Sequence, residues 1–166
     1  MNLTHPNYVL GLHPSSRGFG WVLFEGRAAP FDWGTATIQG DKNPAALARF
    51  EELIAKYRPR VLALEAFDAQ SARRAGRIRK LYRSVVHRAK TQGIDVRLYT
   101  RAQIGGTFAV VGAKTREAIA AAVADQVEAL RPRLPKPRKI WESEHPSMAL
   151  FCAAACALTH YATERE

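Results

Sequence analysis

Apolar residues change period several times along the chain, and each change marks an element. Tyr8–Leu12 is a continuous apolar run, the pattern of a strand covered on both faces. His13-Pro14-Ser15-Ser16-Arg17-Gly18 follows as a polar turn. Phe19–Glu25 then alternates around Trp21 and Leu23 and ends at Gly26, and Asp32–Ile38 is a third β-prone stretch bounded by Gly40. Three short strands joined by tight turns predict an antiparallel meander. Beyond them the period lengthens. Leu47, Phe50, Leu53, Ile54 and Tyr57 share one helical face, with Asn43 as the predicted N-cap, Pro44 at the first helical position and Pro59 as the stop.

Arg60–Ala66 reads as a buried strand between helices, and therefore as parallel to its neighbour. A long helix is predicted from about Ala69 to Thr91, with Ile78, Leu81, Tyr82, Val85, Val86 and Ala89 turned inward and Gly93 at its end. Ile94–Thr100 is a fifth strand and Lys114–Leu130 a helix. Arg131–Lys139 is too rich in proline to continue it and reads as a basic loop. A last helix runs from near His145-Pro146 to about Tyr161. Its apolar segment, Met148 to Leu158, is eleven residues long, well short of the ~20 that a membrane span needs.

With 166 residues the chain is sized for one domain with a substantial core. The N-terminus has neither a basic region nor an apolar signal core, so the cytoplasm is the expected compartment and no membrane partner is expected. Cys152 and Cys156 are four residues apart on the apolar helix, a poor spacing for a staple, and read as free buried thiols.

Charge changes the picture most. The net charge is +10, and arginine outnumbers lysine. Arginine suits bidentate recognition of phosphate, which points to nucleic acid as the partner. Arg73, Arg74, Arg77, Arg79, Lys80 and Arg83 crowd the first turns of the long helix, and no acid occurs between Ala69 and Gly93. A merely solvated helix face would mix in acids for i,i+4 pairs. Lys114 and Arg116 follow a glycine turn at the start of a helix, where backbone N–H groups favour anions.

Four segments stand in order over about 150 residues: Val9-Leu10-Gly11-Leu12-His13-Pro14 with the glycine-bearing strand to Trp21; Ala63-Leu64-Glu65-Ala66-Phe67; Tyr99-Thr100-Arg101-Ala102-Gln103-Ile104 with Val111 to Ile119; and Ala149 to His160. Together they resemble the RuvC-type Holliday junction resolvases of the ribonuclease H-like superfamily. The resemblance implies an α/β fold: a five-stranded mixed sheet, with a three-strand antiparallel meander plus two parallel strands, flanked by helices. It also implies a homodimer that binds branched DNA and cuts it with two magnesium ions held by carboxylates, or by three carboxylates and a histidine.

This chain departs from that pattern at the ligand positions. The first acid is replaced by His13, whose imidazole suits zinc or manganese and does not bridge two magnesium ions. Glu65 matches the second acid and is the one family carboxylate present for certain. Two registers of the terminal helix remain open. One puts Cys152 at the last acid and Ala149 at the preceding one; the other puts Met148 at the last acid and a histidine at His145. Glu142 and Glu144 just upstream are either substitutes or charges favourable to the helix N-terminus. The expected catalytic positions are therefore His13, Glu65, His145 and Cys152, with Glu65 the metal ligand if any. No cofactor is expected; magnesium, manganese or zinc would be needed only for cleavage. The expected nucleic-acid contacts are Phe67, Arg73, Arg74, Arg77, Lys80, Arg83, Lys114 and Arg116, with Phe67 a candidate wedge. The reading is a DNA-binding protein without efficient cleavage. The alternatives are an active endonuclease with an unusual metal set and an interaction subunit of a larger nucleoprotein assembly.

Overall fold

The computed structural model describes residues 7–39, 42–66, 76–139 and 141–164. Strands β1 (Val9–Ser15), β2 (Gly18–Gly26) and β3 (Ala29–Thr37) form the meander. Helix α1 (Lys42–Tyr57), strand β4 (Val61–Glu65), helix α2 (Gly76–Thr91) and strand β5 (Asp95–Tyr99) follow. Helices α3 (Arg101–Ala109), α4 (Arg116–Gln126) and α5 (Met148–Thr163) complete the chain, with a 3₁₀ turn at Glu128–Arg133. The sheet order is β3-β2-β1-β4-β5. β2 is antiparallel to β1 and β3, and β4 is parallel to β1 and β5. The five-stranded mixed sheet flanked by helices is thus as expected.

The two faces of the sheet are packed differently. Leu10, Leu12, Leu62 and Leu64 point to the side where Phe50 of α1 and Leu81 and Val85 of α2 lie. Burial of each such side chain contributes about 1.5–3 kcal/mol. The alternate residues Val9 and Ala63 face α5, as do Val22 and Phe24. Here small residues bring backbones together. A Cβ at Gly11 would collide with the Ala153 carbonyl, and one at Gly20 with the Ala149–Leu150 peptide, so both positions admit glycine alone. The period of two then decides the site. Two residues beyond Gly11 and Ala63, which pair across β1 and β4, His13 and Glu65 fall on the α5 face at adjacent strand ends.

Several elements differ from the sequence expectation. β1 runs on through His13 and Pro14, leaving Ser16-Arg17 as the turn. Asn43 lies inside α1; its amide donates to the Arg77 carbonyl at 3.0 Å, linking α1 to α2 instead of capping α1. The predicted start of the long helix at Ala69 lies outside the described residues. α3 was not predicted, because Gly105 and Gly106 disguise it. Its capping box is plain in hindsight: Thr100 Oγ1 accepts from Gln103 N, and Gln103 returns a bond to Thr100 N. α4 begins at Arg116, capped by Thr115, and stops at Gln126. Part of the expected basic loop is the 3₁₀ turn, which includes Pro132. That piece survives one missing donor because Leu130 N and Leu134 N still bond to Val127 O and Arg131 O. α5 starts at Met148, three residues after His145. No helix among the described residues is long and apolar enough to cross a membrane.

Candidate functional site

The strand ends carrying His13 and Glu65 meet four other segments: the α4 N-terminus, the start of α3, the loop bearing Glu144 and the α5 face bearing Cys152 and Cys156. Arg116 is the centre of the group. Its Nη2 lies 3.4 Å from His13 Nε2, and its Nε lies 2.9 Å from Glu144 Oε1. A guanidinium only donates, so His13 Nε2 accepts and the imidazole is neutral with its proton on Nδ1. Burial, reinforced by the Arg116 charge, lowers the His13 pKa to about 3. Cys152 lies against the same guanidinium. Burial pushes its thiol up to about 11 although Arg116 pulls the other way, so it stays a protonated thiol at neutral pH. Burial and then the Glu65 charge hold Cys156 protonated as well.

Glu65 sits 3.7 Å from Arg101 Nε. Arg101 was not among the expected contacts. Its signal was its place just past the end of β5, where open α/β sheets present ligand-binding side chains.

The sequence-derived residues fall into distinct groups. His13, Glu65, Cys152 and Arg116 come together. Of the two registers left open for α5, the Cys152 side chain is the one that reaches the centre. His145 is exposed, and its Nδ1 accepts from Ser147 N at 3.1 Å. Met148 is buried and lines the recess behind Arg116. Lys114 is exposed on the rim of that recess. Phe67, Arg73 and Arg74 lie outside the described residues. Lys80 and Arg83 are exposed on α2 together with Arg79, and among the described residues no acid pairs with them. Arg77 departs from the expected exposed face. It is half-buried, and its Nη2 donates to the Ser16 carbonyl at 2.8 Å, beside Lys42 Nζ at 2.9 Å on the same oxygen. His160, in the last turn of α5, is buried and bonded through Nδ1 to the Tyr99 hydroxyl at 2.6 Å.

The donor set does not fit a pair of divalent ions. Among the described residues no group of three or more His, Cys, Asp or Glu side chains converges as a metal site. His13 faces a cation, Cys152 and Cys156 are held protonated, and the carboxylates of Glu65 and Glu144 are paired with Arg101 and Arg116. The positive charge at this centre is the guanidinium of Arg116.

Neither a scan of protein-family models nor a search of curated proteins finds a match. Solved structures do match. The fold is that of the RuvC-type resolvases. Thermus thermophilus RuvC in complex with a Holliday junction substrate superposes with a TM-score of 0.68 at 21% identity, over 94% of both chains. A second Thermus thermophilus RuvC structure gives 0.66 at 22% identity, over 94% of this chain and 95% of that one. The yeast mitochondrial Holliday junction resolvase Ydc2 gives 0.57 at 14% identity, over 95% and 80%.

Proposed function

We propose that this chain is a single-domain RuvC-like protein that binds duplex or branched DNA, works as a homodimer, and does not cut its substrate. The observation that carries the reading is Arg116, a cation set among His13, Glu144 and Cys152 at the strand ends. Two adjacent divalent ions need several anionic oxygens to offset their mutual repulsion. Here a fixed positive charge stands beside a neutral imidazole and a protonated thiol. The side chain of Arg116 is 46% exposed, so N–H groups not committed to His13 and Glu144 remain available to a phosphodiester. The chemistry this centre favours is holding a phosphate, with His13 and Glu144 orienting the guanidinium fork. The exposed α2 cations Arg79, Lys80 and Arg83 supply the longer-range attraction. The superposition with RuvC bound to a Holliday junction supports the choice of DNA.

The test is incubation of a four-way junction with the purified protein in magnesium, manganese or zinc. Binding without incision is expected in all three. Magnesium-dependent incision that Glu65→Gln abolishes would overturn the reading in favour of an active nuclease. Binding absent even at low salt would leave the interaction-subunit reading.

A further inference from the structure

The end of the sheet opposite the site carries features that the DNA-binding reading does not use. His13 and Glu65 stand toward the C-terminal ends of β1 and β4. At the other end of β4, about 13 Å away at ~3.3 Å per residue, a recess of about 830 Å³ opens between the last turns of α1 and α2. Ile54, Val61 and Ile94 give it an apolar floor, and Arg58 and Arg60 stand at its edge. Both arginines are exposed, and among the described residues neither pairs with an acid. Arg60 Nη1 donates to Asn7 Oδ1 at 2.8 Å, a neutral partner that leaves its charge unbalanced. The acids on the same wall are already taken: Glu51 pairs with Arg88 at 2.7 Å and Asp95 with Arg97 at 2.9 Å.

Two further observations fall on this surface. Arg58 follows α1 with φ +47°, the left-handed backbone that closes many helices and that glycine adopts most readily. An arginine is kept there instead. Beside it, Tyr8, Phe31 and Tyr57 form an aromatic group. The Phe31 ring lies 5.4 Å from that of Tyr8 and 6.1 Å from that of Tyr57, and the residue is 50% exposed. Arg60 N donates to the Tyr8 carbonyl at 2.9 Å, so the aromatic group and the arginine edge are continuous. Aromatic side chains and arginine are the types enriched where proteins meet proteins.

Charge chooses the occupant. Unpaired guanidinium groups call for carboxylates or phosphates. Helices α1 and α2 both end here, at Tyr57 and Thr91, and their carbonyl ends oppose a closely spaced run of phosphates. Such a run would also leave the apolar floor and Phe31 uncovered. Residues 1–6 adjoin this surface in sequence but include no acid, and a second copy would bring a net charge of +10. We propose that this pole docks an acidic, apolar-anchored segment of a partner protein. Carboxylates of the segment pair with Arg58 and Arg60, an aliphatic side chain enters the recess over Ile54 and Ile94, and a further apolar residue covers Phe31. The surface lies away from His13, Glu65 and Arg116, so the segment and DNA are held at the same time. The inference stands whether or not DNA binds.

The test is an NMR titration of the isotope-labelled full chain with a capped ten-residue peptide that alternates aspartate and leucine. Amide shifts are expected at residues 57–60 and 92–95, with affinity at least ~10-fold above that of two control peptides, one with lysine for aspartate and one with alanine for leucine. Arg58→Gly is expected to weaken the acidic peptide at least ~5-fold without lowering the melting temperature, since glycine suits that backbone. Four-way junction affinity should not change in that variant. No shifts at millimolar peptide, or either control binding as tightly, overturns the proposal. A paired DNA duplex that shifts the same amides, or junction binding weakened as much as peptide binding by Arg58→Gly, would assign the surface to nucleic acid and also overturn it. Should Arg58→Gly lower the melting temperature, Arg60→Ala decides by the same titration, and unchanged peptide affinity there overturns the proposal.

Discussion

Arg77 and Lys80 stand one turn apart on α2 and do opposite work. Arg77 is turned inward, its guanidinium on the Ser16 carbonyl and its backbone carbonyl on the Asn43 amide, so it joins α2, α1 and the β1–β2 turn. Lys80 is exposed, as are Arg79 and Arg83, without an acid partner among the described residues. The same contrast runs through the molecule. Arg88 is tied to Glu51 at 2.7 Å and Arg131 to Asp125 at 2.9 Å. Net charge therefore overstates the binding footprint. Cations already satisfied by the protein shape its surface, and unsatisfied ones attract a polyanion.

The sharpest way to break this contrast is salt. If the unpaired cations contact about six phosphates, affinity for a four-way junction should fall by ~10³ between 50 and 200 mM salt. Fluorescence anisotropy across that range checks it, and a flat profile would mean that the exposed cations do not meet phosphate. Next in size is charge reversal on α2. Lys80→Glu with Arg83→Glu should cost about 10² in affinity, as those phosphate contacts turn repulsive, with an unchanged melting temperature because both side chains are exposed. Arg88→Glu should cost less, since its partner Glu51 already neutralises it.

Arg77→Ala should show the opposite pattern. It removes charged hydrogen bonds at a half-buried junction and is expected to destabilise the fold by about 1–3 kcal/mol in urea denaturation. Its effect on affinity should be well below that of the Lys80 and Arg83 pair. A stability cost below a few tenths of a kcal/mol would place Arg77 with the outward group after all.

The order of strands and helices was legible because periodicity changes sharply between the meander and α1, and because β4 is apolar up to its terminal Glu65. The site was legible in part. Strand alternation puts His13 and Glu65 on one face, and a four-residue spacing puts Cys152 and Cys156 on one side of α5. What could not be read was which cations turn inward. Sequence spacing groups Arg77 with Lys80, and only the packing of α2 on the Ser16 turn separates them. α3 was hidden because its two central glycines read as loop. Arg101 was missed with it, since its role depends on the approach of α3 to Glu65. That Arg116 meets His13, 103 residues away, depends on the tertiary fold alone.

The smallest expected effect concerns the two histidines held neutral inside this framework. Burial and the Arg116 charge lower His13 to about 3, and burial lowers His160, which is bonded to Tyr99. Both have a folded pKa below the unfolded value of about 6.5. As pH falls below that value the unfolded chain takes up protons that the folded chain refuses, so stability falls with falling pH. It is fully present above about pH 6.5 and is lost toward about 3 for His13, and toward its own lowered pKa for His160. His13 contributes at most ~1.4 kcal/mol per pH unit, and about 1 kcal/mol between pH 7 and 5.5 once partial exposure is allowed for; His160 adds in the same direction. Urea denaturation at the two pH values should show that loss, and His13→Asn should remove its share. Arg116→Ala gives the sharper readout: with the neighbouring charge gone, the His13 ring should titrate at higher pH by NMR. A His13 pKa unmoved by that substitution would mean that the guanidinium does not govern the imidazole, and the centre would lose the feature that distinguishes it from a metal site.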